Sequence, residues 1–260
     1  MEKKKSFDYV EDHYFKLKDQ EEDFRNNNLT DLLLTYLKGG TVLDIGCGVG
    51  YFLSKAEKRC SKAYGIEPNK NLSRFIRKEF NSSVIIFEIW AQELDTLKEK
   101  FDNITMIDVL EHIEEDEEHI RTIFNQLNDK GRFILVVPAH KILFGIRDKK
   151  AGHYRRYAKY ELITKLQKNG FNIMKIRHWN MIGFFPYYGT EKILHKELSS
   201  RIRFDKEKGT VRKILNSFFN LWFKCIENNV NFHFGLSLIV VAEKSNNLKK
   251  TKTIIRGKED

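Results

Sequence analysis

Asp44 closes an apolar run, Thr41-Val42-Leu43-Asp44-Ile45, and three glycines follow at alternate positions, Gly46, Gly48 and Gly50, with Cys47 among them. Glycines in this spacing let a backbone turn sharply and approach a ligand without Cβ clashes. A helix beginning just after them offers its free N–H groups at the same place. About 20 residues on, a second apolar run ends at Gly65-Ile66-Glu67-Pro68. A carboxylate there is placed to accept both hydroxyls of a ribose. The dinucleotide fingerprint is not met, because Tyr51 takes its sixth position and the third glycine comes one residue early.

Other residues point to proton handling and anion binding. His112, in Leu110-Glu111-His112-Ile113, follows a fourth apolar run, and His153 lies in Gly152-His153-Tyr154-Arg155-Arg156-Tyr157. An imidazole titrates near neutral pH, so both are candidate catalytic proton acceptors. Arg155 and Arg156 offer bidentate forks for carboxylate or phosphate, and His140, Tyr154 and Tyr157 add polar contacts for the same acceptor. The alternative is that the two arginines pair with structural acids such as Glu161.

Apolar runs at 41–45, 63–66, 83–89, 104–107 and 133–137 alternate with segments of helical spacing, the pattern of βαβ units and a parallel sheet. Two more runs follow at 172–177 and 236–242. The fold expected is α/β, a Rossmann-like seven-stranded and mostly parallel sheet with helices on both faces. Residues 1–40 read as an N-terminal helical flap anchored by Phe15, Leu17 and Phe24. Residues 41–180 with 235–243 read as the core, 181–234 as a helical, aromatic insertion before the last strand, and 244–260 as a basic flexible tail. In the insertion Leu215, Phe218, Phe219, Trp222, Phe223 and Ile226 recur at helical spacing. Such a helix suits a lid, a homodimer face or an anionic lipid surface, or it is simply buried against the sheet. The acidic run 114–118 suits a helix N-terminus.

The chain has 260 residues, 41% apolar and 13% aromatic, which excludes wholesale disorder. Its net charge of +10 is shared between the tail and the body. Three cysteines without CxxC spacing indicate a reducing, cytoplasmic setting with neither a disulfide framework nor a metal site. The charged first residues do not form a signal peptide. No apolar run approaches the roughly 20 residues of a membrane span.

The segments VLDIGCGVG at 42–50, GIEPN at 65–69, FDNITMIDVLEHI at 101–113 and GRFILVVPA at 131–139 resemble class I S-adenosylmethionine-dependent methyltransferases, in the manner of the ubiquinone-biosynthesis branch. The resemblance implies S-adenosylmethionine as cofactor, with S-adenosylhomocysteine as product. It implies that Asp44 and the Gly46–Gly50 loop hold the methionine part, and that Glu67, beside Pro68, takes the ribose. It implies further that Ala91 and Gln92 flank the adenine, that Asp108 and Val109 close the methionine side, and that Arg25 approaches the cofactor carboxylate. Family members with a G-H-x-R-R-Y segment are often encoded among genes for cell-surface carbohydrates, which implies O-methylation of a small, anionic, sugar-type acceptor. An RNA methyltransferase or a small-molecule N-methyltransferase is the alternative. Nucleic acid is set aside as a partner, because Asp108-Val109-Leu110-Glu111 lacks the proline-containing turn that grips a flipped base. A nicotinamide oxidoreductase and a noncatalytic scaffold are the remaining readings.

Overall fold

The computed structural model describes residues 23–80, 84–196 and 210–245. Helix α1 (Phe24–Leu34) is capped by Asp23, whose carboxylate accepts from the amides of Arg25 and Asn26. Then come β1 (Thr41–Ile45), α2 (Tyr51–Ala56), β2 (Lys62–Ile66), α3 (Lys70–Glu79), β3 (Val84–Phe87) and β4 (Phe101–Ile107). The second half has α4 (Asp116–Gln126), β5 (Leu127–Pro138), α5 (Ile146–Ala151), α6 (Lys159–Lys168), β6 (Phe171–Trp179), α7 (Met181–Tyr187), α8 (Thr210–Trp222) and β7 (Ser237–Lys244). The seven strands form one sheet in the order β3-β2-β1-β4-β5-β7-β6, parallel except that β7 runs antiparallel to both neighbours.

Strand alternation divides the core between the two faces of the sheet. Leu43 and Ile45 of β1, Phe133, Leu135 and Val137 of β5, and Leu238, Val240 and Ala242 of β7 pack on one face with α4 and α6. Val42, Ile134, Val136, Ile239 and Val241 point the other way, against α1, α2 and α3. Sequence order reverses between β1 and β4, so the loops after these strands open a crevice at the carboxyl edge.

Several sequence boundaries move. β4 begins at Phe101 and β5 at Leu127, earlier than their apolar runs, because Phe101 pairs with Leu127 ahead of a register shift and Asn103 with Arg132 after it. The acidic run straddles the start of α4, with Asp116, Glu117 and Glu118 in its first turn. In the insertion α8 packs on α1 through the Phe24–Phe219 rings, 5.1 Å apart, and through Asn28 Nδ2 donating to Asn220 Oδ1 at 2.6 Å. Phe223 is buried against Trp179, while Leu215 and Phe218 are exposed. Phe15 and Leu17 of the flap, and nearly all of the basic tail, lie outside the described residues. No helix among the described residues is long and apolar enough to cross a membrane.

Candidate functional site

The loop after β1 turns beneath the end of β2. The amides of Gly46 and Cys47 both donate to the Ile66 carbonyl, at 2.8 and 3.0 Å. Gly46 has φ +71°, and a Cβ there would meet Val109 Cγ2 at 2.5 Å. The chain therefore needs glycine at this point both for the left-handed backbone and for the approach of the segment after β4. Gly50 caps α2 in the same left-handed conformation.

Glu67 is buried under this loop. One of its oxygens accepts from Gly48 N and the other from Asn69 N, both at 2.9 Å. Burial pushes its carboxyl up to about 7, and the two amide bonds only partly oppose this. Asp44 is buried beside it and accepts from Thr105 Oγ1 at 2.6 Å. Burial also raises Asp44 to about 7, against the Thr105 hydroxyl and with help from the Glu67 charge. Burial, then Glu67 and Asp44, push the Cys47 thiol well above its usual range. Each Glu67 oxygen spends one lone pair on a backbone amide and keeps acceptor capacity, so the residues present fit a ligand that brings a diol to the end of β2.

Asp108 and Val109 stand across from Gly46, Asp108 with φ +53°. Arg25 reaches from α1 to Asp108 Oδ2 at 3.4 Å, with its guanidinium 5.4 Å from the Trp179 ring. Ala91 and Gln92 begin a 3-10 turn, Ala91–Thr96, after β3, with Gln92 exposed. The sequence-predicted cofactor residues thus gather along the carboxyl ends of β1 to β4, with Pro68 leading from Glu67 to the Asn69 cap of α3.

The segments around His112 and His153 are built differently. His112 ends a 3-10 turn, Leu110–His112, and its ring meets the His153 ring edge-on with centroids 4.6 Å apart. Burial, then the neighbouring His153, lowers His112 to about 4, so it is a neutral imidazole at physiological pH. His153 Nδ1 donates to Asp148 Oδ1 at 2.9 Å, which turns its Nε2 toward Glu111 Oε1, 3.9 Å away. The Tyr154 amide donates to the Glu111 carbonyl at 2.8 Å and ties this loop to the end of β4.

Of the predicted anion-binding residues, only part faces outward. Arg156 is buried; its Nε donates to Asp148 Oδ2 at 2.8 Å and its guanidinium lies over the Tyr187 ring. Tyr157 is buried with its hydroxyl donating to Asp116 Oδ2 at 3.0 Å. Arg155 contacts Asp116 at 3.1 Å and the Glu114 carbonyl at 2.6 Å. The acids that hold these arginines are Asp148 and Asp116, whereas Glu161 pairs with Lys141. His140 sits apart, stacked on His178 at 4.9 Å. Tyr154 is exposed, a few residues after the exposed Lys149 and Lys150 of α5.

Asp148 carries no sequence signal, lying five residues before His153 in a lysine-rich stretch. It accepts from His153, Arg156, the Tyr187 hydroxyl and the Gly145 amide. Burial alone would raise it, but the bonds from His153 and Arg156 hold it far below the ordinary carboxylate range. Glu111 is the second residue the pattern did not single out. Burial, then Asp108, pushes it well above the ordinary range.

Residues 20–176 match the family described as methyltransferase domain. A tRNA U34 carboxymethyltransferase of Sulfurimonas denitrificans is 28% identical over 119 residues, 44% of this chain and 40% of that protein. One of Aeromonas hydrophila is 34% identical over 107 residues, 38% of this chain and 32% of that protein. N-methyltransferase 4 of Papaver somniferum is 30% identical over 107 residues, 38% and 30% of the two chains. The chain thus spans less than half the length of the curated relatives it matches. Among solved structures, the complex of the Haloferax volcanii Trm112 methyltransferase activator with a methyltransferase aligns with a TM-score of 0.57 and 12% identity, covering 92% of this chain and 95% of that chain. N-methyltransferase NodS of Bradyrhizobium japonicum with S-adenosylhomocysteine aligns with a TM-score of 0.54 and 17% identity, covering 68% and 91%. These structures share the fold. The tRNA-directed names of the curated relatives overturn the exclusion of nucleic acid that the missing proline turn had suggested.

Proposed function

Because the chain belongs to the methyltransferase-domain family and is an S-adenosylmethionine-dependent methyltransferase, we propose that its acceptor is RNA, with transfer RNA the substrate class. The observation that carries this reading is the acceptor rim. An exposed aromatic ring, Tyr154, stands next to His153 and just past Lys149 and Lys150, all exposed but the imidazole. Aromatic faces that stack bases, set among cations that meet phosphates, are the general means of gripping single-stranded nucleic acid. The tRNA-directed relatives and the net charge of +10 support the same reading. A small anionic sugar loses its main support, since Arg156 and Tyr157 spend their polar atoms inside the protein.

S-adenosylmethionine, when bound, supplies a methyl group already activated by a sulfonium. In this reading Glu67 takes the ribose hydroxyls on the lone pairs its amides leave free. Arg25 is placed to meet a carboxylate, with Asp108 steadying its guanidinium, and the Gly46–Gly50 backbone keeps side chains out of the way. The chain's remaining task is alignment and exclusion of water, which can supply about 7–11 kcal/mol, more than the about 3–5 kcal/mol of a general base. In this reading His112 and His153 line the acceptor's side, on a wall tied down through Asp148.

Purified protein incubated with methyl-tritiated S-adenosylmethionine and total tRNA is expected to place label in nucleosides identified by mass spectrometry. Label that appears only in nucleotide sugars or small amines, with none in tRNA from any source, would overturn the RNA reading.

A further inference from the structure

Glu111 has no exposed surface, and neither of its carboxylate oxygens has a hydrogen-bond partner. An ionised carboxylate buried in this way is strongly disfavoured unless a cation faces it, and without one the group keeps its proton. Two imidazoles stand beside it, while the charges of Arg156, Asp108 and Asp148 act on it from farther out. One ligand atom from each of Glu111, His112 and His153 can be chosen so that all three lie within 4.8 Å of one another. Ligands held about 2.0–2.2 Å from one tetrahedral ion stand roughly 3.4 Å apart, so a modest contraction closes the set.

The surroundings are those of a prepared ligand. His153 Nδ1 donates a hydrogen bond to Asp148, which fixes the ring and leaves Nε2 directed at Glu111. Asp148 is itself pinned by Arg156 and Tyr187. A carboxylate behind a histidine orients the ring and raises its strength as a donor. The main-chain bond from Tyr154 N to Glu111 O, at 2.8 Å, holds the two segments in register. Sequence spacing could not have shown the trio, because His153 lies forty-odd residues beyond Glu111 and His112 in the chain.

We propose that Glu111, His112 and His153 form a site for one divalent first-row transition-metal ion of the zinc type. Two imidazole nitrogens and one carboxylate suit zinc, cobalt, nickel or iron, and not the all-oxygen shells of magnesium or calcium. Three protein ligands would leave a zinc-type ion a fourth coordination position, and an acceptor oxygen or nitrogen bound there would lose its proton more readily. The inference stands on the three side chains and does not depend on the acceptor being RNA.

The test is a cobalt(II) titration of the full chain after chelator treatment, read by visible absorption. One equivalent is expected to bind with the strong bands of low-coordinate cobalt, and zinc is expected to displace it. Glu111→Gln and His153→Gln are each expected to abolish the bands, and Asp148→Asn to weaken binding about 10- to 100-fold. S-adenosylhomocysteine binding by calorimetry, retained in each variant, shows that the fold is intact. X-ray absorption of the wild-type zinc complex gives a reading free of variants, with imidazole nitrogen and carboxylate oxygen expected in the first shell. Absence of saturable binding at millimolar cobalt, bands that survive the Glu111→Gln/His153→Gln double variant, or sulfur in the first shell overturns the proposal. Loss of tRNA methylation with intact cobalt binding would sink the RNA reading and leave the metal site standing.

Discussion

The two sides of the crevice are made from different materials. The side formed after β1 and β2 is mostly backbone: glycines after β1, amides of Gly48 and Asn69, and one carboxylate between them. The opposite side is side chain upon side chain, with Asp148 accepting from His153 and Arg156, just beyond it in the chain, and from Tyr187 on α7. The difference teaches that one crevice holds two kinds of stability. A backbone cradle is fixed by the conformation of the chain itself, whereas the side-chain hub is complete only while α7 keeps Tyr187 against Asp148.

The most severe way to separate the two is to remove the hub. Asp148→Ala leaves Arg156 buried without its carboxylate and strands the His153 ring. Breaking a buried pair on one side typically costs about 3–5 kcal/mol, so a large fall in the denaturation midpoint is expected in urea titrations. In the population still folded at low temperature, S-adenosylhomocysteine affinity by calorimetry is expected to stay within about threefold of wild type, a difference of under 1 kcal/mol. A parallel collapse of both quantities would show that the two sides are one unit and that the contrast drawn here is false.

The next largest effect attacks the cradle. Gly46→Ala forces a Cβ onto a left-handed backbone, at about 1–2 kcal/mol, and drives it against Val109 Cγ2. Cofactor affinity is expected to fall at least about 30-fold, corresponding to about 2 kcal/mol, with a smaller loss of stability than Asp148→Ala causes. Adding Val109→Ala removes the clash but not the backbone strain, so calorimetry of the double variant is expected to show partial rescue. Full rescue would mean that the left-handed conformation is unimportant. No rescue would mean that the approach of Val109 is.

The same division explains what was legible in the sequence. All seven strands show as apolar runs, most plainly the central ones, which are buried on both faces and cannot hide their composition. The glycine spacing and the carboxylate after β2 show because the cradle is local. Asp116 shows only as part of an acidic run that suits a helix N-terminus, which it does occupy, yet it also binds Lys165, Arg155 and Tyr157 across the fold. Its partners are set by how α6 lies on the sheet, and no spacing rule reports that. Arg156 and Tyr157 read as ligand-facing for the same reason: a sequence shows which groups bind anions but not that an aspartate of the same chain has already taken them. Glu111 is the sharpest case, since a glutamate after β4 gives no sign that it will be wholly buried with both oxygens bare.

The smallest predicted effect is also the most specific to the cradle, because it depends on one proton. Glu67 and Asp44 both have folded values near 7, above the ordinary 4.5 and 3.8. Between those limits the folded chain holds protons that the unfolded chain has released. Their contribution to stability is therefore complete below about pH 4 and is lost as pH rises through 7. A ribose diol donates to the ionised form of Glu67, so cofactor binding opposes that loss. The affinity for S-adenosylhomocysteine is expected to rise with pH from 5.5 to 8 and to level off above about 7, with proton release detectable by calorimetry in buffers of different ionisation enthalpy. Glu67→Gln keeps the shape, cannot ionise, and is expected to lower the plateau affinity about tenfold while flattening the profile. Should the wild-type profile be flat as well, the carboxylate is not the diol's partner. Should the slope survive in Glu67→Gln, Asp44 is the group that loses the proton, and the cradle's charge sits under β1 rather than at the end of β2.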